Sequence, residues 1–91
     1  MHPDFAIQVR EELDSIGEML IEKNRAYGDS ALNPVRIFSK ADPLEQLNVR
    51  IDDKLSRLQR GQGDTEDTEG DLIGYLILRR LATKRKNLPK L

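Results

Sequence analysis

Apolar residues recur every three or four positions through the first part of the chain: Ala6, Val9, Leu13, Ile16 and Leu20. That period predicts a helix over about residues 4–25 with one buried stripe. Gly17 lies on the same stripe and would let another helix approach closely. Asn24 and Tyr27 carry the stripe past its aliphatic part. A polar Asn in that position needs a hydrogen-bond partner. Gly28 can take the left-handed conformation that closes a helix, and Asp29, Ser30, Asn33 and Pro34 form turns. The connection over residues 28–42 holds Val35, Ile37 and Phe38, which are apolar enough to predict that it packs down.

A second narrow stripe runs through Leu44, Leu47, Ile51, Leu55 and Leu58. Its start is marked by 42-DPLE-45: Asp42 can cap, Pro43 suits the first helical position, and Glu45 can complete a capping box. Gly61 ends this helix at about residues 43–60, and 61-GQGDTEDTEG-70 is a glycine-rich acidic turn. The third helix is expected over about residues 65–86, capped by Asp64 or Thr65. Glu66, Asp67 and Glu69 suit its first turn, where the helix dipole favours negative charge. Leu72, Ile73, Leu76, Ile77, Leu78 and Leu81 point in nearly all directions, so this helix should be buried on more than one side. The pattern predicts an all-α antiparallel three-helix chain, one domain over residues 1–91, whose bundle is completed by forming a homo-oligomer, a dimer or higher.

Composition narrows the chemistry. Of 91 residues, 34% are charged, and the net charge of −1 argues neither for nor against nucleic acid. The charges are segregated: five acids lie in residues 64–71 and six bases in residues 79–90. The basic tail lacks interleaved aromatics, so nucleic acid is not the expected partner. Absence of cysteine excludes thiolate metal sites and disulfides, and the lone His2 excludes a histidine-rich zinc site and a histidine-activated nucleophile. No apolar run is long enough for a signal peptide or a membrane span, so a cytoplasmic protein with no membrane partner is expected.

Carboxylates and a metal would therefore have to carry any catalysis. On the second helix Arg50, Lys54 and Arg57 fall on one flank of the leucine stripe and suit phosphate oxygens. Their plainer role is that of flanking charges on a solvated helix. Asp53 faces nearly away from the stripe. Asp67 and Asp71 are four residues apart, on one face continued by Gly74, Tyr75 and Leu78. Carboxylates so spaced can share magnesium, although Asp67 also suits the helix dipole alone. Asp71 borders the apolar run 72-LIGYLIL-78 and needs a partner, most simply Lys54 or Arg57. In 23-KNRAYGDS-30, Tyr27 could stack on a base beside Asn24, or the whole segment could be a helix C-cap.

The strings 23-KNRAYGDSALNP-34, 47-LNVRIDDKLSRL-58 and 66-EDTEGDLIGYLIL-78 resemble the phage and bacterial family called nucleotide modification associated domain one. That family looks related in turn to the all-α NTP pyrophosphohydrolases of the MazG type. The resemblance implies a nucleotide-handling protein of phage nucleotide metabolism. It also implies a Mg2+ ion held by Asp53, Asp67 and Asp71, with Asp53 and Asp71 catalytic. Lys54, Arg57, Arg50, Tyr27 and Asn24 would bind the nucleotide. The chain departs from the MazG pattern, since Arg50 and Thr68 stand three residues before Asp53 and Asp71, where that pattern has glutamates. The expected function is a magnesium-dependent nucleoside triphosphate pyrophosphohydrolase. The alternatives are a non-catalytic phage binder that sequesters a nucleotide or cyclic nucleotide against host defence, or a phage protein that binds and inhibits a host protein.

Overall fold

The structure is a computed structural model, and it describes residues 4–34, 37–61 and 67–88. Three helices make up the fold: α1 (Phe5–Tyr27), α2 (Pro43–Gln59) and α3 (Thr68–Lys86). Strands are absent among the described residues, and the all-α expectation holds.

Local chemistry sets the ends of each helix. At α1 the chain turns at Gly28, whose φ of 64° and ψ of 40° are left-handed, and its N–H donates to the Asn24 carbonyl. Asp29 follows with φ 63°, an uncommon conformation for a residue with a side chain. The Asp42 carboxylate accepts from the Glu45 N–H at 2.8 Å, with Pro43 in the first turn, as the sequence predicts. The third cap differs from expectation. Asp67 takes that place, its Oδ1 accepting from the Gly70 N–H at 2.9 Å, and Asp64 and Thr65 lie outside the described residues. A Cβ at position 70 would collide with the Asp67 carboxylate as it stands, so a side chain there would make that carboxylate shift.

Packing is uneven. Helices α2 and α3 lie antiparallel: Arg79 Nε donates to Asn48 Oδ1 at 2.8 Å near one end, and Lys54 pairs with Asp71 near the other. Leu47 and Ile51 are buried in their seam, together with Thr68, Gly70 and Gly74 of α3. Helix α1 meets α3 over a short stretch and makes no close backbone approach to α2. Its crossing point is Gly74, where an added Cβ would stand 3.1 Å from Leu20 Cδ2 and 3.3 Å from Met19 Cε. The missing side chain is what lets the two helices come this near.

Several apolar positions expected inside lie outside. Of the α1 stripe only Ile16 is buried, whereas Leu13 is 59% exposed. Among the described residues nothing stands within 4 Å of where a Cβ of Gly17 would lie, so none of the three helices uses that notch. In the α1–α2 connection Leu32 packs down instead of Ile37 and Phe38, and Phe38 is 95% exposed. Val35 lies outside the described residues. Helix α3 is not wrapped on every side either, with Ile73, Leu76 and Leu81 exposed.

Candidate functional site

A cleft of about 230 Å³ opens where α1 crosses α3. One wall is the end of α1 and the turn after it, with Lys23, Asn24, Tyr27 and Ser30. The other is the α3 face, with Asp71, Gly74, Tyr75 and Leu78, and Arg50 enters from α2. Asp71 and Tyr75, like Gly74 and Leu78, are four positions apart, and Asp71 and Gly74 are three apart, which puts them on one helical face as their spacing predicts. Gly74 shapes the floor, because it allows the close crossing that brings both walls together.

Asp71 ties the three helices to one another. Lys54 Nζ of α2 stands 3.3 Å from Asp71 Oδ2, and Lys23 Nζ of α1 stands 3.5 Å from Oδ1. The Lys54 side chain is only 12% exposed and that of Asp71 23%, so their pairing is partly shielded from water. A charge placed there needs its counter-ion, and Lys54 is one of the two partners that the sequence offered. Arg57, the other, pairs elsewhere. Its Nε lies 3.1 Å from Asp53 Oδ2, one turn back on the same helix, and both side chains are well exposed.

Asn24 lines the cleft, but its amide already serves another purpose. Its Nδ2 donates to Asp29 Oδ1 at 2.7 Å, and Arg85 Nη1 donates to Asp29 Oδ2 at 3.1 Å. The Arg85 guanidinium, and after it the Asn24 amide, hold the Asp29 carboxyl below its ordinary value of 3.8. These bonds fasten the left-handed turn at residues 28–29 to the last turns of α3, and so fix the cleft wall at Ser30 and Ala31. Arg50, Tyr27 and Tyr75 line the cleft and have no side-chain hydrogen bond or ion pair among the described residues.

The expected magnesium site does not form from this chain's described residues. No group of three or more His, Asp or Glu among them is placed to hold a metal ion. The three carboxylates do separate jobs: Asp53 pairs along the outside of α2, Asp67 caps α3, and Asp71 bridges two lysines. Hard cations need several oxygens converging on one point, and among the described residues one carboxylate reaches the cleft. Of the residues expected to bind nucleotide, the structure gathers Arg50, Tyr27 and Asn24 at the cleft beside Asp71, sets Lys54 behind Asp71, and leaves Arg57 on the outer face. Lys23 and Tyr75 were not among the residues singled out for binding. Lys23 could have been found, since it falls three positions after Leu20 and so continues the α1 stripe with a cation.

No family model matches the sequence, and no curated protein or solved structure is similar to it. Among the described residues no helix is long and apolar enough to cross a membrane.

Proposed function

We propose that the α1–α3 cleft binds a nucleotide without hydrolysing it. The observation that supports this reading is the meeting of Lys23, Arg50, Tyr27 and Tyr75 around one hollow. Two cations against the single Asp71 leave it with a positive balance, and Lys54 adds a third cation behind Asp71. Arginine offers a planar fork of donors to phosphate oxygens, while lysine supplies a compact charge. Tyrosine rings offer flat apolar faces for a base, and stacking of this kind contributes roughly 1–3 kcal/mol per base. The volume of about 230 Å³ lies under the usual range for drug-sized ligands, which limits the ligand to no more than one mononucleotide unit. The resemblance of 23-KNRAYGDSALNP-34 and 66-EDTEGDLIGYLIL-78 to a nucleotide-associated family agrees in direction.

Binding is favoured over magnesium-dependent hydrolysis because, among the described residues, a single carboxylate reaches the cleft and two lysines already neutralise it. A metal-bound water would need a ligand set that the described residues lack. Isothermal titration with nucleoside mono- and triphosphates, with and without magnesium, tests the reading. Heat should appear without the metal, and the nucleotide should be recovered intact. Release of pyrophosphate would replace this reading with the pyrophosphohydrolase, and no heat from any nucleotide would remove both.

A further inference from the structure

The chain exposes far more surface than a monomer of its mass. Its accessible area is 7523 Å² for 10.4 kDa. A folded monomer of that mass exposes about 5,400 Å². The excess, about 2,100 Å², is larger than the roughly 800 Å² that each partner contributes to a standard interface. The radius of gyration, 15.3 Å, tells the same story. About 12 Å is usual for a chain this long. Exposed apolar side chains occur on all three helices, and on α1 they are Phe5, Ile7, Val9, Leu13 and Ile21, each at least 40% exposed.

One flank of α1 has the chemistry to receive a copy of itself. Taking 100° per residue from Ile16, the side turned to α3 runs from Met19 at about −60° to Leu20 at about 40°. The next flank carries Leu13, Ala6, Gly17, Arg10 and Ile21 at about 60°, 80°, 100°, 120° and 140°. Position 17 is open, with nothing within 4 Å of where a Cβ would stand. A knob at Leu13 and a notch at Gly17 thus share one flank, four residues apart.

We infer that the protein is a homodimer in which α1 pairs antiparallel with the partner's α1, about a twofold axis level with residue 15. This register seats Leu13 in the notch of the partner's Gly17, and the symmetry repeats the contact. Arg10 comes within a turn of the partner's Glu18, also twice, so opposite charges flank the apolar seam. The partner's Phe5 arrives on the same side as Lys23 and Tyr27, at the mouth of the cleft. A twofold interface of this kind is self-complementary, so one short segment serves both subunits.

Native mass spectrometry and light scattering of the wild-type chain decide the matter, with an expected mass twice 10.4 kDa. Leu13→Glu should give a monomer with unchanged helical circular dichroism, because Leu13 is 59% exposed within its own chain. Arg10→Glu and Glu18→Arg should each weaken the dimer about tenfold, and the double variant should restore it. A monomeric wild-type protein overturns the proposal. So does an oligomer that Leu13→Glu leaves intact, or a double variant no stronger than either single one.

Discussion

Asp71 and Asp53 carry the same expectation in the sequence, each a helical aspartate that the family resemblance implies holds magnesium. In the structure they belong to different worlds. Asp71 lies between helices, with Lys54 and Lys23 reaching it from α2 and α1, and its side chain is mostly shielded. Asp53 lies on the outer face of α2 and pairs with Arg57 along its own helix. The first pair joins segments far apart in the chain and borders a cleft. The second joins neighbours that the helix would bring together anyway. A carboxylate's worth to this protein is thus set by what it connects.

Substitutions can break that contrast, beginning with the strongest. Asp71→Ala removes the acid that Lys54 and Lys23 share and unfastens α1 from α3. Partial exposure lowers the cost below that of a fully buried pair, to about 2 kcal/mol, read by urea unfolding at fixed protein concentration. A loss no greater than that of Asp53→Ala would show the two acids to be equivalent.

Arg50→Ala and Lys23→Ala test the cleft side of the contrast. Each removes one cation facing the ligand and should weaken nucleotide binding by about tenfold, roughly 1.4 kcal/mol, in isothermal titration. Arg57→Ala should leave that affinity unchanged, because Arg57 is held on the outer face by Asp53.

A third, smaller effect depends on pH. Asp29 has its folded-state pKa lowered by Arg85 and Asn24. Its contribution to stability is therefore present above the ordinary value of 3.8 and is lost as pH falls through the lower folded value. Unfolding midpoints measured from pH 6 downward should show that loss in the acid limb, and Asp29→Asn should flatten it. An identical acid limb in the variant would remove Asp29 from the account of how the cleft wall is held.

The smallest effect belongs to Asp53→Ala, which should cost under about 0.5 kcal/mol, since exposed ion pairs one helical turn apart contribute little. It should also leave nucleotide affinity untouched. A loss of binding on this substitution would mean that the outer face of α2 meets ligand, contrary to the cleft described above.

Much of the fold can be read directly from the order of residues. Helix periods, the Asp42–Pro43 start of α2 and the Gly28 stop of α1 follow from forces acting within a few residues, and those forces act wherever the segment finds itself. That Asp71, bordering an apolar run, needs a cation, Lys54 or Arg57, also follows from the order of residues. Meetings between distant segments do not. That Lys23 rather than Arg57 would be the second partner of Asp71 depends on where α1 crosses α3, and Gly74 decides that crossing by lacking a side chain. The cleft itself, with Tyr75 opposite Tyr27, exists only once that crossing is made. The same crossing leaves half of the α1 stripe uncovered, because a helix touching its neighbour over a short stretch cannot bury the rest.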